Sequence, residues 1–202
     1  MTIDIKIRTQ EIINTSLEEQ KKKNPQTTEL YTVKGERVSL PVINLNLDLL
    51  MLNPDNHRLT AQFGEKDNYK ELNSNPRSNE TQGVLSKLLS ETDEFGRLKG
   101  QLEQLGQRDP GLVTRDGLLV NGNTRYVALK QLRDSGKNNK GMDVAVLPPE
   151  ISDSDIISIE MELQMLKLVE QKYTFTNELL FLQNFREMGK SDNQIILSMG
   201  WR

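Results

Sequence analysis

The residues whose types and spacing are best suited to bind a ligand lie in the stretch Asp116 to Leu132, DGLLVNGNTRYVALKQL. This stretch predicts a short strand, a tight turn at Asn121-Gly122 and a helix that begins near Asn123. The first N–H groups of a helix have no partner inside it, so a helix that begins directly after such a turn can bind a phosphate. Arg125, in the first turn, would add a fixed positive charge and a planar set of donors. The stretch therefore predicts a site for a di- or triphosphate.

A simpler interpretation of the same residues stays open. Asn121-Gly122 is also a common turn former, and Arg125 would then be a solvated residue of the first helical turn. Short glycine-containing motifs often occur by chance. The choice therefore depends on what the rest of the chain places around them.

The composition excludes several classes of function. The sequence has 202 residues, of which 35% are hydrophobic and 27% charged, as is typical of a globular protein. It has no cysteine, so disulfides, thiolate metal sites and a cysteine nucleophile are excluded. Its net charge of -3 argues against non-specific binding along nucleic acid. No apolar run has membrane-spanning length and no targeting signal begins the chain, so we expect a cytoplasmic protein.

The hydrophobic pattern predicts an α+β fold, a small mixed β-sheet with packed helices followed by an all-helical segment. Residues 1–30 are expected to form a peripheral N-terminal arm with a helix over about 5–23. Residues 31–150 are expected to form the α+β domain. Its stretch 53–83 is rich in Asn, Ser, Gly and charge and therefore predicts a long loop or insertion. Residues 151–202 are expected to be helical.

Turn residues mark the strands of the α+β domain. Lys34-Gly35 predicts a hairpin that leads into a strand over about 38–45, and Pro41 predicts that this strand lies at an edge or that Pro41 lies near its start. Asp116-Gly117 is the strongest hairpin signal in the chain. MDVAVLP predicts a further buried strand that ends at Pro148-Pro149.

Apolar residues at helical spacing predict helices in the rest of the domain and in the C-terminal segment. Helices are predicted from Leu85 to Gly106, with a break at 90–93, and from Asn123 to Arg133. Three more helices are predicted after Ser152, and the first and the third begin with polar caps. The last two of them resemble the first half of a helix-turn-helix, whose recognition helix would lie beyond Arg202, as in a truncated chain.

Four short boxes, in this order, resemble the N-terminal domain of the ParB/sulfiredoxin superfamily, on the ParB side. NPDNHR, from Asn53 to Arg58, resembles the first box, N-P-x-Q-P-R, with Asn56 and His57 in place of Gln and Pro. LEQLGQRDPGLVTRDG resembles the second, G-x-x-Q-P-hydrophobic-V, with Pro110 kept and Asp109 in place of Gln. About three quarters of the chain is covered.

The third box carries the residues of the predicted phosphate site. NGNTRYVAL resembles G-E-R-R-aromatic-x-A, in which Gly122 and Arg125 match. Asn123 replaces the Glu and Thr124 replaces the first Arg. The fourth box, MELQM, resembles E-N-x-Q-R, in which a Gln matches and a Glu stands at the Asn position. Two methionines replace its other polar residues.

The resemblance implies a nucleotide switch. ParB proteins bind CTP and Mg²⁺ in this domain, use the nucleotide to close a clamp-like dimer, and read DNA with a following helix-turn-helix. On that basis the phosphates would be bound by Arg58, Pro110, Asn121, Gly122, Asn123, Thr124 and Arg125. Glu162 and Gln164 would help to hold the metal. The chain would then be a DNA-binding protein of plasmid partition or regulation, and a homodimer.

The departures from the boxes shape this expectation. Without an acid at position 123, slow or absent hydrolysis is expected. The arginines missing at positions 124 and 165 each remove a charge-assisted contact of about 1.5 to 3 kcal/mol. Sulfiredoxin chemistry is excluded because it needs a cysteine.

Two alternatives to the switch stay open. ParB-like domains also occur as nucleases or NTPases, which would need pocket carboxylates such as Glu160, Glu162 or Asp109. Asp153 and Asp155 could join a magnesium site, although acids in a first helical turn more often cap it. The other alternative is a scaffold that has kept the fold, lost the ligand and acts through protein contacts.

Overall fold

The computed structural model describes residues 2–23, 28–33, 36–56, 69–137, 140–163 and 186. The chain divides into two compact units, residues 1–160 and 161–202. The described residues of the first unit form a six-stranded mixed sheet with packed helices, which confirms the predicted α+β fold. Most of the helical segment expected for 151–202, including the partial helix-turn-helix, lies outside the described residues.

The helices are α1 (Thr2–Lys21), α2 (Tyr69–Ser74), α3 (Asn79–Ser90), α4 (Phe95–Leu105), α5 (Asn123–Asp134) and α6 (described over 153–163). The strands are β1 (Thr28–Val33), β2 (Glu36–Leu45), β3 (Met51–Leu52), β4 (Gly111–Val113), β5 (Leu118–Asn121) and β6 (Met142–Val146). Their order in the sheet is β1-β2-β6-β4-β5-β3. The β4/β6 and β3/β5 pairs are parallel and the others antiparallel. Among the described residues, no helix has the length and apolar character that crossing a membrane requires.

One cluster of buried apolar side chains joins strands β2 to β6 to helices α1 to α5. Its fully buried members include Ile13, Leu45, Leu52, Leu85, Leu119, Leu132 and Met142. Each such side chain contributes about 1.5 to 3 kcal/mol when it leaves water. The strands and helices that carry the predicted site are therefore parts of one packed core.

Helix α1 confirms the predicted N-terminal helix but is not the peripheral arm expected for residues 1–30. Ile13 and Leu17 are buried in the main core, and the helix belongs to the first compact unit. The buried face of α1 also includes the polar Thr9 and Gln20. Because part of its packing surface is polar, the apolar stripe in the sequence was too short to reveal the contact.

The prediction of a loop over 53–83 is wrong in its second half. Helix α2 and the start of α3 lie there, while residues 57–68 fall outside the described part of the chain. Leu72 and Thr81 are buried, and the Thr81 hydroxyl donates to the Leu72 carbonyl at 2.9 Å. The Ser78 side chain caps α3 by accepting from the Thr81 N–H at 3.1 Å. A core position occupied by threonine hides the helical period.

Pro41 lies inside β2, which is not an edge strand of the sheet, so that prediction is also wrong. In the pairing register, residues 36–41 face β1 and residues 42–45 face β6. Pro41 is thus the last residue of one pairing, where a missing N–H costs least. The β1/β2 and β4/β5 hairpins and the strand β6 are confirmed.

The outer strand β3 is completed by a side chain from α3. Gln82 accepts from the Leu52 N–H at 2.9 Å through Oε1 and donates to the Leu52 carbonyl at 3.1 Å through Nε2. The same Nε2 donates to the Pro76 carbonyl at 2.8 Å. The glutamine amide therefore supplies the donor and the acceptor that a neighbouring strand would supply.

Candidate functional site

The start of α5 has the geometry that the Asn-Gly turn predicts. Gly122 is the N-cap, with φ of 91° and ψ of 15°, in the left-handed region that favours glycine. Its N–H donates to the Asn121 side-chain oxygen at 2.8 Å. The first helical bond runs from the Tyr126 N–H to the Gly122 carbonyl at 2.9 Å. The N–H groups of residues 123–125 therefore precede the helical ladder and point out of the helix end.

Gly122 also lies in close contact with the neighbouring strands. A Cβ added there would lie 2.9 Å from Met142 Cε and 3.3 Å from Gly111 Cα. It would also lie 3.7 Å from Arg125 Nη1, so the guanidinium sits beside the helix start. Glycine at this position lets β4, β6 and α5 meet and leaves the guanidinium next to the free helix N–H groups.

Arg125 links the second box to the third. Its Nη1 donates to the Pro110 carbonyl at 3.2 Å, and its Nη2 lies 3.7 Å from Asp109 Oδ2. The Arg125 side chain is 17% exposed, whereas the Asp109 side chain is 85% exposed. The structure thus brings Pro110, Gly122 and Arg125 together, and their role in binding a phosphate stays a prediction.

The charges around Arg125 are reflected in two pKa values. Burial lowers the pKa of Arg125, and the nearby charges of Asp109 and Tyr31 act in the opposite direction. Burial, with the Glu29 charge, raises the pKa of Tyr31 to about 12, against the effect of Arg125. Arg125 remains protonated at any physiological pH. Tyr31 is a neighbour of the site that sequence analysis missed, because no local pattern in β1 connects it with α5.

The backbone of the second box is held in place by a glutamine. Gln107 Nε2 donates to the Asp109 carbonyl at 2.9 Å and to the Asp143 carbonyl at 2.7 Å. Its Oε1 accepts from the Asp143 N–H at 2.9 Å. With the bond from Arg125 to Pro110, the chain around Asp109 is fixed on both sides. The carboxylate of Asp109 therefore stays near Arg125 although its side chain is exposed.

Asn123 has a structural task that the sequence did not reveal. Its side chain is buried, with 3% exposed. Its Oδ1 accepts from the Asn53 N–H at 3.1 Å, and its Nδ2 donates to the Leu119 carbonyl at 3.1 Å. The amide therefore joins the end of β3 to β5. The predicted contribution of Asn123 to phosphate binding would come from its backbone N–H.

The first box begins beside the third. Asn53 is buried, and its Oδ1 accepts from the Asp55 N–H at 3.0 Å. Its Nδ2 lies 3.5 Å from Glu160 Oε2, and Glu160 is itself buried. Among the residues of the first unit, polar contacts therefore run from Glu160 through Asn53 to Asn123 at the start of α5.

The other predicted site residues are placed less informatively. Thr124 is half-buried in the first turn of α5. Arg58 and Gln164 lie outside the described residues. Glu162 is exposed and belongs to the second compact unit. The metal-binding prediction for Glu162 and Gln164 stays a prediction.

Among the acidic residues of α6, Asp155 takes part in capping the helix. Asp155 Oδ2 accepts from the Ser152 hydroxyl at 2.7 Å and from its N–H at 3.0 Å, and the Ser152 hydroxyl accepts from the Asp155 N–H at 3.2 Å. Asp153 is exposed. Within the described ranges, no group of three or more acidic, histidine or cysteine side chains is placed to hold a metal ion. The charged side chains described at the start of α5 are the Arg125 guanidinium and the Asp109 carboxylate that pairs with it.

No family model and no curated protein matches the chain. Among solved structures, it is similar to the C-terminally truncated chromosome-partitioning protein ParB from Caulobacter crescentus complexed with CTP-gamma-S. The two chains are 14% identical, and the alignment covers 80% of this chain and 72% of that chain with a TM-score of 0.40. A likeness at that TM-score is too loose to assign corresponding residues or ligands.

Proposed function

We propose that the first compact unit is a ParB-like domain that binds the phosphates of a nucleoside triphosphate, CTP or a related nucleotide, with Mg²⁺. The nucleotide would act as a conformational switch. The observation that supports this best is the convergence of donors at one point. Arg125 is oriented by the Pro110 carbonyl beside Gly122, where the first N–H groups of α5 precede the helical ladder.

The donors at the start of α5 are of the kind that binds a phosphate. A charge-assisted bond from Arg125 would contribute about 1.5 to 3 kcal/mol, and the helix dipole about 0.3 to 1 kcal/mol more. The glycine at position 122 lets a phosphate approach the backbone closely. A triphosphate carries more charge than one arginine neutralises, so Mg²⁺ would accompany it and be held largely by phosphate and water.

Turnover is proposed to be slow or absent. Hydrolysis needs a group that orients or activates the attacking water. Position 123 carries an amide, and both ends of that amide are bonded to the backbone at Asn53 and Leu119. The site is therefore proposed to bind a nucleotide rather than to consume it rapidly.

The wider role proposed for the protein rests on the sequence boxes. A homodimer that binds DNA through a helix-turn-helix, in partition or gene regulation, is what those boxes imply. The nuclease alternative is less favoured by the described contacts of two of the carboxylates that it needs, because Glu160 is buried and Asp109 is paired with Arg125. The scaffold alternative is favoured by one observation, namely that Asn123 and Arg125 already have protein partners.

The test is calorimetric titration of the purified protein with CTP, ATP and GTP in Mg²⁺, with an Arg125→Ala variant. Saturable binding of one nucleotide is expected, and Arg125→Ala should weaken it roughly 10- to 100-fold because one charge-assisted contact is lost. The matched control is Arg133→Ala, which removes an arginine from the last turn of the same helix, where it pairs with Asp48. Binding should survive that change.

Two results would contradict the proposal. If none of the three nucleotides binds detectably to protein that circular dichroism shows to be folded, the scaffold alternative would remain. Equal weakening by Arg125→Ala and Arg133→Ala would show that the effect comes from net charge and not from the site. Metal-dependent cleavage of DNA by the same sample would favour the nuclease.

A further inference from the structure

We propose that Asp109 competes with phosphate for Arg125 and so determines how tightly the start of α5 holds an anion. The inference rests on the proposed phosphate site and adds a residue that regulates it. It is carried by the geometry of Arg125, Pro110 and Asp109, and by the way in which the chain around them is fixed.

The two terminal nitrogens of Arg125 have different partners. Nη1 donates to the Pro110 carbonyl at 3.2 Å, a bond that fixes the plane of the guanidinium. Nη2 lies 3.7 Å from Asp109 Oδ2, which is within ion-pair range but longer than a hydrogen bond. One nitrogen is therefore committed to the fold, and the other faces a carboxylate that is close but not tightly bonded.

Asp109 is held near Arg125 by its backbone and not by its side chain. Gln107 donates to the Asp109 carbonyl at 2.9 Å, and Arg125 holds the next carbonyl along the chain, that of Pro110. The Asp109 side chain is 85% exposed, so it can rotate away without losing packing. It is thus a counter-ion that stays near the guanidinium and can be displaced from it.

A phosphate at the start of α5 would meet this carboxylate directly. It would take the place of Asp109 beside Nη2 or bind next to it, and in either case its negative charge would lie near the carboxylate. An asparagine at position 109 keeps the size of the side chain and removes both the competition and the repulsion. The acid should therefore weaken anion binding, and Asp109→Asn should strengthen it.

The same helix offers a matched control at its other end. Arg133 Nη1 pairs with Asp48 Oδ1 at 2.8 Å, and the Asp48 side chain is 70% exposed. Asp48→Asn therefore removes the same charge from an exposed arginine pair on α5. It leaves the start of the helix untouched.

The experiment is calorimetric titration of the whole protein with inorganic tripolyphosphate without Mg²⁺, at about 0.15 M ionic strength, where the Debye length is about 8 Å. The proteins compared are the wild type, Asp109→Asn, Asp48→Asn, Arg125→Ala and the Asp109→Asn/Arg125→Ala double variant. Asp109→Asn should tighten binding roughly three- to tenfold, the range expected for loss of a competing ion pair and a nearby like charge. Asp48→Asn should change it less than about twofold, because screening weakens distant charges.

The double variant tests whether Arg125 is the group for which the two anions compete. In the Arg125→Ala background, Asp109→Asn should have a smaller effect than in the wild type. Binding by Asp109→Asn with none detectable in the wild type would support the inference in its strongest form.

The contrary outcomes separate this inference from the proposed function. If the wild type binds and Asp109→Asn binds equally or less tightly, Asp109 is not a competitor, while the phosphate site stands. If neither protein binds tripolyphosphate although both are folded by circular dichroism, the inference fails together with the proposed site. If Asp48→Asn increased the affinity for tripolyphosphate as much as Asp109→Asn does, the increase would come from net charge alone. That result would also overturn the inference.

Discussion

Strand β5 has a glycine turn and an arginine at each of its two ends, and the two ends differ in how fully the charges are satisfied. At its start, Gly117 has φ of 87°. Arg77 Nη2 donates to the Asp116 carbonyl at 2.6 Å and lies 3.4 Å from the Asp116 carboxylate. One arginine nitrogen thus holds a backbone carbonyl and pairs with a carboxylate.

The other end of β5 uses the same components. Gly122 has φ of 91°, and Arg125 donates to the Pro110 carbonyl while it pairs with Asp109. Here the carbonyl and the carboxylate belong to neighbouring residues. The two ends therefore share their turn chemistry, their arginine and their mixed backbone and carboxylate contacts.

The surroundings of the two carboxylates differ. Asp116 is 22% exposed and also accepts from the Thr114 hydroxyl at 2.6 Å and pairs with Lys6 at 3.2 Å. Asp109 is 85% exposed, and Arg125 is its charged partner among the described contacts. A carboxylate that is surrounded by donors stabilises the fold. A single exposed carboxylate on a half-buried arginine is easier to displace, which agrees with the exchange of Asp109 for a ligand that we propose at the second end.

The two ends of β5 are expected to differ most in the free energy of unfolding that is lost when a methyl group is added to each glycine. A Cβ on Gly117 would lie 2.2 Å from the Leu49 carbonyl oxygen, a backbone atom. A Cβ on Gly122 would meet the flexible end of Met142 at 2.9 Å. Gly117→Ala should therefore lower the free energy of unfolding by about 2 to 4 kcal/mol, and Gly122→Ala by about 1 to 2 kcal/mol. Chemical denaturation measures both, and equal losses would show that the backbone at Leu49 can move.

The two ends are expected to differ less in the free energy of unfolding that is lost when each aspartate is replaced by asparagine. Asp116→Asn removes charge-assisted contacts from Thr114, Lys6 and Arg77 and should cost about 1 to 3 kcal/mol at neutral pH. Asp109→Asn should stay within about 0.5 kcal/mol of the wild type, because its ion pair is exposed. Urea unfolding of the two variants decides between them. A larger loss in Asp109→Asn would contradict the comparison.

The smallest effect is expected in the pH dependence of the free energy of unfolding at acidic pH. Burial raises the pKa of Asp116, but the hydrogen bonds from Thr114 and Lys6 and the charges of Lys6 and Arg77 outweigh it and lower the pKa. The unfolded chain then binds the proton more readily, so this stabilisation is present above the unfolded pKa of about 3.9 and is lost as the pH falls towards the folded pKa. Unfolding followed from pH 6 downwards should show a shallower acid dependence in Asp116→Asn than in the wild type. Parallel curves for the wild type and Asp116→Asn would contradict this assignment.

Both ends of β5 could be predicted because their turns are local. Asp116-Gly117 and Asn121-Gly122 each place a glycine where the backbone needs a positive φ, and the residues that flank them show the alternation of strands or the period of a helix. The boxes led us to expect Pro110 and Arg125 near each other, and Arg125 donates to the Pro110 carbonyl; that the two residues bind a phosphate stays a prediction.

The contacts that complete the site could not be predicted in this way. The Asn123 amide meets the Asn53 N–H across 70 residues of sequence, and no local pattern marks either partner. The pairing of Arg125 with Asp109 depends on how Gln107 holds the Asp109 carbonyl in the segment that precedes β4. Because buried amides look like ordinary turn or cap residues in a sequence, their structural use becomes visible only when distant strands are brought together.

The glutamine that completes β3 has a consequence for behaviour at high concentration. β3 is an outer strand of the sheet, and the free N–H and C=O groups of an outer strand can pair with another molecule and start a β-aggregate. At Leu52 both groups are already bonded to Gln82, which lies on a helix and presents no further strand edge to extend. We therefore expect this one helix side chain to limit the pairing of β3 with a strand of another molecule, because the outward N–H and C=O groups of Leu52 are already bonded within the chain.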